Sequence, residues 1–368
     1  MKKNLFFGLC AASMLLMTSC EKDSFANLWG EKESEVANVT LSVSLPELQT
    51  ATRAYGEGKN ATNLQYAVYS LDANDAINEQ IEVKNVVMDA AAGATPTKDL
   101  VIKLIPGTIY SIVLWADAYG TDANSPFTVK MEKTANTVTN TVTVDAGKIK
   151  TSDDNADAFF GSFVINVKSA TEYSISDYLT NIGLPEPNLE LKRPFAQLNI
   201  ASTLSDFNIL KNSGFDLTQT TVTVENAYTS MDLRSGEVLD GANGANGTSV
   251  SFALNDLPTG QSDKTDTHKL LSVNYILMSK AKYTANKVVF TYSNGTKTET
   301  KSYTNVPLQR NWRTNIYGDL FTDPVGIKVS IAPSFANQTP ADEDGNGITN
   351  DEWYNGENGF PNNSTPNP

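Results

Sequence analysis

A period of two constrains this chain more than any other feature. Val39-Thr40-Leu41-Ser42-Val43-Ser44-Leu45 alternates apolar and polar residues without a break and stops at Pro46. Successive side chains of an extended chain point to opposite faces, so the pattern describes a strand with one buried face and one wet face. Short runs of similar character recur at 64–69, 100–104, 110–115, 137–144, 159–167, 196–201, 220–224, 249–254 and 271–278. Segments 287–292 and 298–303 flank Asn294-Gly295, a strong hairpin signal. Clusters of Asn, Gly, Ser and Thr separate these runs, whereas helical periodicity is confined to a few turns at 175–181 and 204–212. The reading is all-β, built from sandwiches rather than βαβ units.

At 368 residues, 40% of them hydrophobic, the chain has material for about two domains. Pro185 and Pro187 interrupt regular structure at 183–188, so the expected domains are 38–187 and 188–325. The stretch 241–247, Gly-Ala-Asn-Gly-Ala-Asn-Gly, reads as a loop. Segment 326–368 begins with an alternating run and ends in an acidic, Pro-rich tail without Lys or Arg. Such a tail has too little apolar surface for a core of its own.

Residue counts exclude much chemistry. The formal net charge of −14 repels phosphate backbones, so no nucleic-acid partner is expected. One histidine, His268, and two cysteines, Cys10 and Cys20, leave no zinc site to assemble and no catalytic triad without His268. His268 sits in the polar stretch Asp266-Thr267-His268-Lys269 and reads as an exposed loop residue. No Gly-rich phosphate loop occurs in a strand-to-helix context, and no carboxylate pair stands out. The chain is expected not to be an enzyme.

The N-terminus reads as an address. Lys2 and Lys3 precede an apolar run at 5–17, shorter than the about twenty residues a membrane-spanning helix needs. It ends Met17-Thr18-Ser19-Cys20, which resembles a bacterial lipobox with Met where Leu is commoner. Residues 1–19 are then a lipoprotein signal peptide, Cys20 the lipidated first residue, and 20–37 an acidic tether. Cys10 leaves with the signal, so the mature chain has no disulfide and its cores must be stable without one.

Two loops carry further signals. Asp342, Asp344 and Asn346, followed by Gly347, match alternate positions of a calcium loop. Trp353 stands where the loop needs a bidentate Glu, which limits this candidate to weak, about millimolar, Ca2+ binding. No other cofactor is expected. The stretch between Pro46 and Leu64 is long for a connection in a compact domain and contains Thr52-Arg53-Ala54, with Gly56 and Gly58 behind. Long flexible loops are preferred nicking sites, and Arg53 is the only arginine before Arg193.

Four segments carry a likeness to a known family. They are Tyr110-Ser111-Ile112-Val113-Leu114-Trp115-Ala116-Asp117 and Asp157-Ala158-Phe159-Phe160-Gly161 in the first half. In the second they are Leu191-Lys192-Arg193-Pro194-Phe195-Ala196-Gln197-Leu198-Asn199-Ile200 and Arg310-Asn311-Trp312-Arg313-Thr314-Asn315-Ile316-Tyr317-Gly318. In order and spacing these resemble the fimbrillins, the type V pilins of Bacteroidales. The resemblance implies two tandem transthyretin-like β-sandwich domains and a lipidated precursor at the outer membrane. It also implies a subunit of a cell-surface fimbrium that serves adhesion. An Arg-specific surface protease would cut behind the first strand, here at Arg53, leaving Ala54 as the new N-terminus. Glu21 and Asp23, following Cys20, resemble a surface-export signal of the same group.

The cut would remove a first strand whose inward face is Val39, Leu41, Val43 and Leu45, and a neighbouring subunit would fill the groove by β-augmentation. The candidate donor is Ile327-Lys328-Val329-Ser330-Ile331, expected to project from its own domain with Ile327, Val329 and Ile331 as the inserting residues. The implied partners are other fimbrial subunits, the protease, and outer-membrane lipid through Cys20. Three rival readings stay open at this point: an uncut lipid-anchored accessory, anchor or tip subunit; a surface glycan-binding lipoprotein using Trp353, Tyr354 and Phe360; and a carboxylate-dependent hydrolase.

Overall fold

The computed structural model describes residues 36–46, 58–90, 94–185, 187–240, 248–256, 268–281, 283–322 and 327–332. Five sheets account for the strands among these. The first orders β11 (Asn188–Glu190), β1 (Ala37–Ser44) and β4 (Thr97–Leu104). The second orders β10 (Gly183–Leu184), β9 (Tyr173–Asp177), β8 (Phe159–Val167), β5 (Thr108–Asp117), β2 (Asn63–Leu71) and β3 (Ile77–Val87). A third joins β14 (Ser230–Asp232), β7 (Val138–Val144) and β6 (Phe127–Lys133). The fourth orders β16 (His268–Leu277), β12 (Phe195–Thr203), β19 (Arg313–Gly318) and β20 (Lys328–Ala332). The fifth orders β15 (Thr248–Asp256), β13 (Gln219–Ala227), β17 (Tyr283–Ser293) and β18 (Thr298–Leu308). The fold is all-β, with one α-helix, α1 (Leu204–Asn212), among the described residues.

The burial pattern explains the layering. On β5, Tyr110, Ile112, Leu114 and Ala116 join one core with β1 and β4, while Val113 and Trp115 face a second core. A strand covered on both faces reads as a continuous apolar run. The second sheet is therefore the middle of three layers, between the first sheet and the third. The third sheet is completed from the other half of the sequence: Met231 of β14 pairs with Val142 of β7. The fourth and fifth sheets enclose Leu198, Ile200, Val273 and Ile316 against Val222, Val224, Val288 and Phe290. That core is continuous with the one beneath Trp115.

The expected strands form, and α1 forms with Thr203 as its N-cap, the hydroxyl accepting from the Asp206 N–H at 3.2 Å. The other expected helix does not. Residues 173–177 are β9, and the Asp177 carboxylate then accepts from the Leu179 and Thr180 amides in a turn. Around the expected boundary at 183–188 the chain makes β10 and β11, and β11 pairs parallel with β1, Val43 opposite Leu189. The Asn294-Gly295 hairpin joins β17 to β18, with Gly295 at φ +85° and the Asn294 side chain accepting from the amides of Thr296 and Lys297.

Candidate functional site

The first strand is paired on both sides. All eight residues of β1 pair antiparallel with β4, from Ala37 opposite Leu104 to Ser44 opposite Thr97. On its other side Ser42, Val43 and Ser44 pair with β11. The expected inward residues Val39, Leu41, Val43 and Leu45 are all buried, with Ala37 beside them. They pack in one core with Tyr110, Ile112 and Phe163 of the middle sheet. Thr40 and Ser42 face outward, and the Ser42 hydroxyl donates to Asp99 at 2.5 Å. Removing β1 would leave a channel walled by β4 and β11 and floored by aromatic and aliphatic side chains.

The described chain stops at Pro46 and resumes at Gly58. The return point is built for glycine alone. Its φ is +63°, and a Cβ there would lie 2.5 Å from Cζ of Phe159. Gly58 O then accepts from the Ala61 N–H at 3.0 Å, and the Asn60 side chain donates to Asn155 Oδ1 at 2.9 Å. Arg53 and Ala54 lie between these ends, outside the described residues, as do Cys20 and the calcium candidates Asp342, Asp344 and Asn346.

The candidate donor does not project. Residues 328–332 form β20, antiparallel to β19 with Val329 opposite Ile316. Val329 is 7% exposed and Ile331 1%, and Ile327 packs against the same core. The physical reason is plain: the alternation that would suit a neighbour's groove also suits the free edge of β19 in the chain's own sheet. β20 is thus an edge strand with one neighbour, whereas β1 has two.

Three of the four segments that carry the family resemblance meet in one buried polar cluster around Asp157, Arg193, Asn311 and Arg313. Arg193 grips Asp157 with two bonds of 2.6 Å, Nε to Oδ1 and Nη2 to Oδ2, while its guanidinium lies 4.7 Å over the Phe159 ring. Its Nη1 also donates to Asn311 Oδ1 at 3.4 Å. Arg313 Nε donates to Gln197 Oε1 at 2.5 Å, and Arg310 Nη2 to the Gly236 carbonyl at 2.8 Å. Trp115 Nε1 donates to Asp117 Oδ2 at 2.6 Å. Burial pushes the Asp157 carboxyl above the usual carboxylate range, opposed by the Arg193 guanidinium. Asp117 is raised by burial too, against the Gly120, Trp115 and Tyr119 N–H donors that favour its charge. Burial also holds the Tyr275 phenol well above its ordinary value, so it serves as a neutral donor to Asp154 Oδ1 at 2.6 Å.

Sequence reasoning did not find this cluster, because partners 36 positions apart carry no periodic signal. The cue was the company each keeps, since Asp157 and Arg193 each lie two residues before a strongly apolar strand, β8 and β12. His268 also departs from expectation: it opens β16, half-buried, edge to face with Tyr317 at 5.7 Å between ring centroids. Among the described residues no group of three His, Cys, Asp or Glu is placed to hold a metal, and no helix is long and apolar enough to cross a membrane.

Together these features define a class, an all-β chain of packed sandwiches whose first strand fills a slot between two others. The chain belongs to a family of unknown function, DUF6562, whose model matches residues 31–357. No curated protein sequence matches it. Similar solved structures include a fimbrial assembly protein from Parabacteroides distasonis, at 13% identity and a TM-score of 0.40, covering 81% of this chain and 96% of that one. The fimbrial anchor protein Mfa2 from Porphyromonas gingivalis is also similar, at 10% identity and a TM-score of 0.35, covering 80% of this chain and 97% of the other.

Proposed function

We propose that the chain is a structural subunit of a cell-surface fimbrium, delivered as an outer-membrane lipoprotein on Cys20, with adhesion as its role. A single cut after Arg53 would free Ala54 as the N-terminus and sever the lipidated end together with β1. The observation that carries this reading is the place of β1. It lies between the lipobox and Arg53 in sequence and in the centre of its sheet in space.

The energetics favour exchange over vacancy. At about 1.5–3 kcal/mol per buried aliphatic side chain, Val39, Leu41, Val43 and Leu45 contribute roughly 6–12 kcal/mol gross. A whole domain is stable by only about 5–15 kcal/mol, so an emptied slot must be refilled. Segment 327–331 of a second copy has the required alternation at Ile327, Val329 and Ile331. Leaving the edge of its own sheet costs one ladder, whereas entering the slot makes two, with β4 and with β11. This contact joins unlike surfaces and does not close on itself, so repetition gives a filament.

The test is Arg53→Ala in cells. The expected outcome is full-length lipoprotein at the membrane and no high-mass ladder on mild gels. Ladders from this variant would refute cleavage as the trigger. An unaltered wild-type chain, lipidated at Cys20 and never cut, would instead mark an anchor subunit that keeps β1, a reading its unbroken pairing along β4 also suits.

A further inference from the structure

We infer that the fold guards the four described arginines, Arg193, Arg234, Arg310 and Arg313, so that none of them competes for an Arg-specific protease. The inference rests on the proposed cleavage after Arg53 and explains why that cut would be single.

The chain has five arginines: Arg53, Arg193, Arg234, Arg310 and Arg313. Arginine is ordinarily a surface residue, rarely buried in full. Here Arg193 is 0% exposed, Arg310 4% and Arg313 6%. Lysine behaves in the opposite way, since no lysine among the described residues is buried. Among the described residues, then, three of the four arginines are buried and none of the lysines is.

Cleavage after arginine needs a side chain free to enter the protease pocket and several residues of extended backbone to enter the cleft. Each described arginine fails on these counts. Arg193 is clamped on Asp157 and followed by Pro194, whose ring obstructs the scissile bond. Arg310 donates to the carbonyls of Met278 and Gly236 from inside the core. Arg313 lies in β19, paired on one side with β12 and on the other with β20, and its Nε donates to Gln197. Arg234 is the thinnest guard. It sits in a turn beside β14, donates to the Asp75 carbonyl at 2.8 Å, and stacks 4.8 Å over the Tyr178 ring. Reaching any of them requires local unfolding, and the rate then follows the population of the opened form.

The experiment is a time course of the folded mature chain with an Arg-specific endopeptidase, the fragments read by mass spectrometry. Cleavage after Arg53 is expected to finish while cuts at the other four run at least about a hundredfold slower. The Arg53→Ala chain should stay intact over the same period. Tyr178→Ala should bring forward a cut after Arg234 before any other new one. The heat-unfolded chain should be cut after Arg234, Arg310 and Arg313. Cuts after any of the four guarded arginines at rates within tenfold of Arg53 overturn the inference. So does an unfolded chain that stays uncut at Arg234, Arg310 and Arg313, because local sequence rather than the fold would then protect them. A folded chain uncut everywhere, including Arg53, overturns the proposed cleavage instead and leaves the guarding in place.

Discussion

Leu41→Ala separates the two lives of the first strand. In the uncut chain Leu41 is completely buried, opposite Leu100 in the β1–β4 ladder. Truncating a buried leucine to alanine costs about 2–5 kcal/mol, the transfer term plus the cavity left behind. For a cooperative unit of roughly 150–250 residues, 1 kcal/mol moves the melting temperature by about 2–4 °C, so a drop of roughly 4–20 °C is expected. Under the proposed exchange, β1 would be absent from the assembled polymer and its slot filled by another strand, so the same substitution should change nothing there. The control is Leu100→Ala on β4, which lines the slot in both forms and should weaken both. The assay is a thermal melt of the uncut protein in an Arg53→Ala background beside a melt of polymer assembled from wild-type Arg53 chains. If Leu41→Ala weakens the polymer as much as the precursor, β1 is retained and the account of exchange is wrong.

Three other substitutions follow from contacts already described. Gly58→Ala places a Cβ against Phe159 at a left-handed φ, and denaturant melts should show a loss of about 1–3 kcal/mol; an unchanged midpoint would mean the loop end is not fixed there. Asp157→Ala leaves Arg193 buried without its carboxylate and should cost about 3–5 kcal/mol, while Asp157→Leu with Arg193→Met should recover most of it; a double variant as weak as the single one would contradict the ion-pair reading. Val329→Asp puts a charge on the buried face of β20, so both the melting temperature of the monomer and the yield of polymer should fall; a normal melt would show that β20 does not complete its own sheet.

What the sequence made legible follows from how many faces an element buries and how many partners it needs. β1 alternates because one face is wet, and its inward residues were read without error from that alone. β5 was legible as an apolar run, but not the reason for it, since the covering third sheet takes β14 from more than a hundred residues downstream of β5. β3 was missed because it is an edge strand carrying Glu79, Glu82 and Lys84, the charges that keep an edge from pairing with strangers. Asp177 was read into a helix because a short stretch with Ile175 and Leu179 can satisfy either period; the carboxylate's bonds to two following amides decided for a turn. β20 was legible as a strand but not as a docked one, because alternation names a face and not the sheet that will cover it. The buried arginines were invisible for the same reason in reverse: a charge signals water until its distant partner is known.

The most direct test of the central claim is the N-terminal residue of the protein in purified surface polymer, read by mass spectrometry of the intact chain and of its first peptide. The account expects Ala54, with no peptide from Val39 to Leu45 present in the fibre. A lipidated Cys20, with that peptide recovered in full from the same fibres, would contradict it.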